Sequence, residues 1–473
     1  MSKIISAPSS FCKHENAEKI IEGIKMLPIL KNFDQLKEED KRKIFHKKEL
    51  SLTFSDPKPI LKDRLNSVLI IYFFYGICAI LPWYLLQMAN DFLINVKLNT
   101  PISSGTFYQI KFKFISGLIW NAAFLLMTIF NLINCDRRFN QIDRIPFCLI
   151  GSAFSIGSII VLSILDSKNW SNSFFICFSL IICLLAALNG IIFSSSIYAA
   201  AMLPPKYTNS ILLGYMSSGL FYSLISILFK YCKFSKISSV NATWCNIDNC
   251  TNCQSQFIFQ HIRNYYRYHL DIAKDNMTAN EKARRTLFHM PYIRTIKRFW
   301  PLYVCIWLLM FTTLSSFTSY QKQIKPIKTQ LDSFIVSNDL FVDITCDLTY
   351  YIATCLGSLT CFAFKKPSIK LSLAFSFLKS ILTSCFFILC NFEPDKRKNL
   401  PVLVENDYVY WSGAFICHYS TALMVCLLMS FAPKEIKFKY KQSAALLTAF
   451  SFIFGSLCGS EFSRFFETIV VII

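Results

Sequence analysis

The chain has 473 residues, of which 53% are hydrophobic and 16% charged. Its apolar residues are gathered into runs of about 20, the length of a membrane-spanning helix, which excludes an ordinary soluble enzyme. The formal net charge of +20 would suit a nucleic-acid-binding protein. With eleven spans and a cytoplasmic N-terminus, however, most basic residues lie on the cytoplasmic side of the membrane, which is the positive-inside pattern of membrane proteins. We therefore expect a lipid bilayer as partner and no nucleic acid.

Residues 1–66 are polar and mixed in charge, and they contain no recognisable cleavable signal peptide. An amphipathic helix could form within residues 16–52, but a solvated cytoplasmic tail is the expectation.

Ten apolar runs follow, and each predicts a membrane-spanning helix. They cover residues 67–87, 114–133, 146–165, 174–203, 208–229, 299–319, 340–364, 371–391, 409–432 and 443–460. The sequence thus predicts an all-α polytopic membrane protein.

The first run contains Leu81-Pro82-Trp83. A proline inside a membrane helix frees a backbone carbonyl and bends the helix, and a tryptophan beside the bend can present a flat ring to a pore. Tryptophan in a membrane helix is more often an interface anchor. The tripeptide on its own is therefore a weak indication of a transport pathway.

An eleventh crossing is expected between residues 230 and 262, because the basic segment 263–298 would otherwise lie outside. Hydropathy gives no sign of this span. The stretch is polar and carries glycosylation sequons at Asn241 and Asn249, which suit an external loop. Either the sixth span is short and degenerate, or this part of the sequence is aberrant.

The cysteines Cys245, Cys250 and Cys253 cluster beside the sequons. A disulfide in an external loop is the preferred interpretation, because a zinc site needs four ligands and only His261 is nearby. We expect no metal and no cofactor.

Charged groups inside the spans are candidates for function, because each is costly in hydrocarbon. Asp343 and Asp347 lie one helical turn apart and so share a face. Asp343 is close enough to the start of its span to lie at the interface. The deeper Asp347 is interpreted either as a pathway residue or as the structural partner of another buried group, for which Lys379 is the first candidate.

The order of motifs along the chain resembles the equilibrative nucleoside transporters. The matching segments are 76–84, 204–208, 213–219, 265–268, 311–317, 420–436 and 443–460. Each match is modest, and it is their order along nearly all of residues 65–465 that makes the resemblance specific.

The resemblance implies about 11 helices in a major-facilitator-like two-bundle transporter, with the N-terminus in the cytoplasm. The implied parts are a tail (1–66), a first bundle (67–230, spans 1–5), a degenerate sixth span with a glycosylatable loop and a basic cytoplasmic loop (231–298), and a second bundle (299–473, spans 7–11). It also implies facilitative transport of nucleosides or nucleobases by alternating access. No Gly-x-x-x-x-Gly-Lys-Ser/Thr loop is present, so ATP is not expected to drive transport.

By the same resemblance, Asp347 occupies the position associated with ribose recognition, and Trp83 would close over the base. Other residues of the motifs would serve helix packing. These are Pro82, Gly214, Gly219, Pro433, Gly455 and Gly459.

Four polar positions of the family pattern are replaced in this chain, three of them by aromatic residues. Ile344 replaces an Asn, and the aromatic replacements are Tyr84, Phe193 and Tyr351. An aromatic ring can stack on a base, worth about 1–3 kcal/mol in single-strand binders, without reading its edge. Relaxed base discrimination, a shift towards nucleobases, and loss of transport are all compatible with these replacements.

Three alternatives remain open. A membrane-embedded enzyme would need a compact catalytic constellation, and the six His residues are dispersed along the chain. A non-transporting receptor or scaffold would explain the replaced polar positions, and a facilitative transporter of another small solute would suit the same architecture. The sequons favour the secretory route and the plasma membrane over an internal membrane, while the oligomeric state is left open.

Overall fold

The computed structural model describes residues 66–99, 106–134, 141–231 except 168, 291–327 except 320, 335–364, 368–391, 402–436 except 435, and 440–472. Ten long helices lie in these ranges. They are α1 (Ser67–Phe92), α2 (Phe112–Ile133), α3 (Gln141–Ile164), α4 (Ser171–Ala200), α5 (Pro205–Tyr231), α6 (Pro291–Ser319), α7 (Thr349–Cys361), α8 (Ile369–Leu389), α9 (Asp407–Phe431) and α10 (Lys441–Ile472).

Short helical sections extend or connect the long helices. They are the π-helices Leu93–Lys97 and Asp343–Leu348, the 3₁₀ helices Gln321–Gln323, Asn338–Leu340 and Ala432–Lys434, and the helical turn Phe107–Ile110. This helical architecture confirms the predicted all-α class. It follows from composition, since a chain crossing hydrocarbon must satisfy its backbone hydrogen bonds within each segment.

Nine helices within the described ranges are long and apolar enough to cross a membrane. They correspond to nine of the ten predicted spans. The remaining one, 340–364, is divided between the π-helix Asp343–Leu348 and the α-helix α7. The predicted sixth crossing, the sequon residues Asn241 and Asn249 and the cysteine cluster lie outside the described residues, as does nearly all of the N-terminal tail.

Glycines set the closest helix contacts within α1–α5, which we call the first half. A Cβ at Gly76 of α1 would collide with the carbonyl oxygen of Ile211, and one at Gly214 of α5 with that of Phe73. Helices α1 and α5 therefore cross backbone to backbone, which small residues permit in membrane proteins.

The second half, α6–α10 with the π-helix Asp343–Leu348, repeats this arrangement between α6 and α10. A Cβ at Gly455 would lie 2.6 Å from the carbonyl oxygen of Trp307, and one at Gly459 would lie 2.5 Å from that of Phe311. Both distances are too short for a real side chain, so the two positions require glycine.

Contacts between the halves are of another kind, because they join side chains. Asn209 of α5 and Ser430 of α9 are hydrogen bonded, and Asn121 of α2 donates to Ser460 of α10 at 3.4 Å. Gly219 of α5 lies directly against the ring of Tyr351 on α7. The division of the chain into bundles at 67–230 and 299–473 stays a prediction.

The prolines named from the sequence lie in two settings. Pro82 lies within α1, which continues through it as one helix. Pro433 is buried in the 3₁₀ helix that follows α9. A distinct kink occurs instead in α6, where Phe299 has non-helical dihedral angles two residues before Pro301. A proline inside a helix removes one backbone hydrogen bond and clashes with the preceding turn, which kinks the helix.

Candidate functional site

A cavity of about 240 Å³ lies between helices of the two halves. Its walls come from α1, α2 and α5 in the first half and from α6, α7, α10 and the 3₁₀ helix Gln321–Gln323 in the second. The lining residues are Ile80, Trp83, Tyr84, Gln87, Trp120, Asn121, Phe124, Tyr215, Met216, Tyr222, Met310, Leu314, Phe317, Thr318, Lys322, Tyr350, Tyr351, Phe452, Ile453, Ser456 and Ser460. Aromatic rings and a few polar groups thus line one partly open cavity, as in many small-molecule sites.

Two indole rings form one part of the wall. Trp83 of α1 and Trp120 of α2 have ring centroids 5.1 Å apart and planes inclined by 31°. Beside them lie Asn121 and Ser460, whose side chains hydrogen bond across the halves. This part of the cavity therefore offers flat aromatic faces next to an amide and a hydroxyl group.

Tyrosine rings form a second part. Tyr84 stacks on Tyr222 at 5.4 Å between centroids and meets the edge of Tyr351 at 5.5 Å. Tyr350 packs on Phe317 at 4.3 Å. Tyr84 and Tyr351, two of the aromatic replacements named from the sequence, are thus in contact with each other and line the cavity.

Lys322 is the cationic residue of the cavity lining in the described part of the chain. It lies on the 3₁₀ helix that follows α6, and its Nζ atom is 4.9 Å from the centroid of the Phe317 ring. The same Nζ is 3.5 Å from Oδ1 of Asp347. The lysine side chain is 44% exposed and the aspartate side chain 16%, so the lysine lies towards the open space and the aspartate behind it.

Asp347 itself does not line the cavity. It belongs to the π-helix Asp343–Leu348, and its ion-pair partner is Lys322. The sequence-based suggestion that Lys379 is this partner is wrong, because Lys379 of α8 donates to the hydroxyl of Thr421 on α9. The sequence did not indicate Lys322 as the partner of Asp347, because Lys322 lies just beyond the apolar run of α6 and so did not stand out as a charge inside a span.

Asp343, on the same π-helix, also pairs with a lysine. Nζ of Lys230, at the end of α5, lies 2.7 Å from Oδ1 and 2.5 Å from Oδ2 of Asp343. The lysine side chain is 53% exposed, and neither residue lines the cavity. Two ion pairs therefore meet this single π-helix, one through the cavity-lining Lys322 and one through Lys230 outside the lining.

Two further residues named from the sequence lie away from the cavity. Phe193 of α4 is fully buried, and its ring lies 5.3 Å from Tyr215 and 5.8 Å from Phe452, which both line the cavity. It therefore supports the wall from behind. Ile344 is half-buried, and its carbonyl oxygen accepts a hydrogen bond from Thr349 at 2.8 Å.

The structure adds residues that the sequence analysis did not select. The most important are Lys322, Trp120, Asn121 and Tyr222. Asn121 is a polar residue next to a tryptophan within a largely apolar span, a signal that could have been used. No comparable signal marks Lys322, since a lysine beyond the end of a span is typical of any membrane helix.

A buried polar group lies near the cavity without lining it. His418 of α9 is 1% exposed, and its Nε2 lies 2.9 Å from the side-chain nitrogen and 3.0 Å from the side-chain oxygen of Gln321. The imidazole ring also meets the edge of Tyr350 at 4.8 Å. This contact places His418 in the supporting layer behind the tyrosine rings.

Comparisons with known proteins agree with this architecture. The family model described as "Nucleoside transporter" matches residues 179–468. The chain is also 23% identical over 460 residues to human "Equilibrative nucleoside transporter 1", a match that covers 86% of this chain and 98% of the human protein. These findings confirm the resemblance to the equilibrative nucleoside transporters seen in the sequence. The chain is a multi-pass membrane protein and belongs to the nucleoside transporter family.

Proposed function

We propose that this protein transports nucleosides, nucleobases or both across a membrane by facilitated diffusion. The observation that carries the proposal is the cavity between the two halves, whose aromatic walls and few polar groups suit a flat heterocycle with polar substituents. Membership of a transporter family argues against catalysis as the role of this site.

The base occupies the part of the cavity lined by Trp83 and Trp120. Stacking of a base on an aromatic ring is worth about 1–3 kcal/mol and tolerates any base. Asn121 and Ser460 lie close enough to these rings to contact polar atoms at the edge of the base. A base held mainly by stacking on these tryptophan rings is selected only weakly by its edge, which favours a site of broad base preference.

The sugar of a nucleoside occupies the part lined by Lys322 and the tyrosines. Asp347 and Lys322 supply charge there, and hydroxyl groups of Tyr84, Tyr350 and Tyr351 supply further donors and acceptors. A nucleobase lacks the sugar and depends on the tryptophan part alone. This difference makes nucleosides and bases useful probes of the two parts.

Transport proceeds by alternating access, with the halves rocking around the central cavity. The glycine crossings at which backbone meets backbone lie inside each half, whereas the contacts described between the halves each involve a side chain. Such an arrangement favours movement of the halves relative to each other. Solute then moves down its own gradient, in keeping with a sequence that has no Gly-x-x-x-x-Gly-Lys-Ser/Thr loop for ATP.

Uptake measurements test the proposal. The protein is expressed in cells that lack nucleoside and base transport, and the initial uptake of labelled adenosine, uridine and hypoxanthine is measured with and without depletion of ATP. Saturable uptake of at least one compound that survives ATP depletion is expected, as is countertransport in proteoliposomes containing the purified protein.

The amount of protein at the cell surface is measured in the same cells. Background uptake of all three compounds, with the protein present at the surface, would refute the proposal and favour a receptor or scaffold. Uptake of an unrelated solute in a broader screen would indicate a facilitative transporter of another class.

The plasma membrane is the proposed location, and the sequons at Asn241 and Asn249 are the proposed glycosylation sites. Surface biotinylation tests the location. An electrophoretic shift after enzymatic removal of N-glycans, lost when both Asn residues are replaced by Gln, tests glycosylation.

A further inference from the structure

We infer that Lys322 is the charged residue that contacts the sugar of the solute, and that Asp347 acts through Lys322 as a positioning residue. The inference rests on the proposed function and specifies how the sugar part of the site works. It assigns recognition to a lysine at the end of α6 and not to the aspartate that the sequence motif selects.

The first argument is the placement of the two side chains. Lys322 lines the cavity and is 44% exposed, while Asp347 is 16% exposed and lies outside the lining. A solute in the cavity therefore meets the ammonium group before it meets the carboxylate.

The second argument is the number of hydrogen-bond donors. An ammonium group has three donors and no acceptor. In the described part of the chain its polar contact is Asp347, at 3.5 Å, which is too long for a strong hydrogen bond. Donors thus remain for an oxygen atom of the solute, and ribose hydroxyl oxygens are the acceptors that separate a nucleoside from its base.

The third argument concerns the role left to Asp347. Lys322 is a long, flexible side chain, and its position over the Phe317 ring and beside Asp347 limits that freedom. A carboxylate behind the ammonium group also keeps a cation in a largely aromatic cavity at lower cost than an unpaired charge. Asp347 thereby orients the donor without touching the solute.

The test compares uptake efficiency for inosine, 2′,3′-dideoxyinosine and hypoxanthine in the full-length protein. In Lys322→Met, inosine uptake should fall roughly tenfold or more, the loss typical of one hydrogen bond to a charged group. Hypoxanthine uptake should change much less. The preference for inosine over its dideoxy analogue, expected in the natural protein, should disappear.

A double-mutant cycle separates contact from positioning. Asp347→Asn alone should lower inosine uptake by less than Lys322→Met does, and in the Lys322→Met background it should cause no further loss. Lys322→Arg should restore part of the inosine preference, since a guanidinium group also donates to oxygen. Equal, independent losses from the two substitutions would show that Asp347 contacts the solute itself and would overturn the inference.

Lys230→Met provides the matched control, because Lys230 pairs with Asp343 of the same π-helix but lies outside the cavity lining. It should leave the ratio of inosine to hypoxanthine uptake unchanged. Surface amounts are measured for each variant, and Lys322→Gln serves as a second variant if Lys322→Met is poorly expressed.

Several results contradict the inference while leaving the proposed function intact. One is an equal loss of inosine and hypoxanthine uptake in the Lys322 variants at normal surface amounts, which would assign Lys322 to structure or gating. Another is a retained preference for inosine over its dideoxy analogue in the Lys322 variants, which would show that the ammonium group does not contact the 2′- or 3′-hydroxyl of the sugar. Absence of uptake by the natural protein would instead overturn the proposed function, and this inference with it.

Discussion

Replacing Trp83 by Ala removes one of the two indole rings that face each other in the cavity. The ring centroids of Trp83 and Trp120 lie 5.1 Å apart at 31°, so the substitution opens one aromatic face of the proposed base site. Losing a stacking contact costs about 1–3 kcal/mol, and each 1.4 kcal/mol is about a factor of ten. Uptake efficiency should therefore fall by roughly 5-fold to 150-fold.

The loss should be similar for nucleosides and nucleobases, because both carry the heterocycle. Initial rates over a range of concentrations of inosine and hypoxanthine give the uptake efficiency for each. Trp83→Phe keeps a ring and should retain most uptake. Trp300→Ala is the control, because Trp300 is also a large aromatic residue but is 57% exposed and lies outside the cavity lining.

Unchanged uptake in Trp83→Ala, or a loss confined to nucleosides, would refute the stacking argument. An equal loss in Trp83→Phe would show that the shape of the indole, and not an aromatic face, is required.

Two further predictions concern folding and topology. Gly219→Ala should destabilise the protein by about 1–3 kcal/mol, the usual cost of overpacking, because its Cβ would collide with the Tyr351 ring. Gly157→Ala is the control and should not destabilise the protein, because a Cβ there meets nothing within 4 Å. Thermal unfolding of the purified variants distinguishes the two. Residues 263–298 should be protected from external protease in intact cells, while Asn241 and Asn249 should carry external glycans. If segment 263–298 and the two sequons are found on the same side of the membrane, there is no sixth crossing between them.

Much of the membrane architecture could be predicted from the sequence, because length and hydropathy alone determine whether a segment can cross a bilayer. Nine predicted spans are apolar helices in the structure. The tenth, 340–364, is helical but contains a π-helical section at Asp343–Leu348. Nothing in a hydropathy pattern distinguishes i→i+5 from i→i+4 hydrogen bonding, so this irregularity could not be anticipated.

The candidate site was predicted less completely than the fold. Trp83, Tyr84 and Tyr351 were selected by motif position, and all three line the cavity. Phe193 was selected in the same way but lies behind the wall. A motif fixes the position of a residue along a helix, whereas its distance from the cavity depends on neighbouring rings such as Tyr215 and Phe452.

Lys322 shows why charge pairing is difficult to infer from sequence. Its partner Asp347 lies on another segment, and the chain contains several other lysines at span ends. Which lysine meets which aspartate depends on how the 3₁₀ helix Gln321–Gln323 lies against the π-helix Asp343–Leu348. That packing is a tertiary property and leaves no periodic signal in either segment.

The glycine crossings have a consequence for how mutations should be distributed over the protein. Where Gly214 meets Phe73, or Gly455 meets Trp307, a backbone carbonyl is the obstacle, and a backbone cannot yield by changing a rotamer. Where Gly219 meets Tyr351, the obstacle is a ring on a rotatable bond. Variation at the first kind of position should therefore damage the fold more than variation at the second, where a shift of the Tyr351 ring would also change the shape of the cavity that it lines.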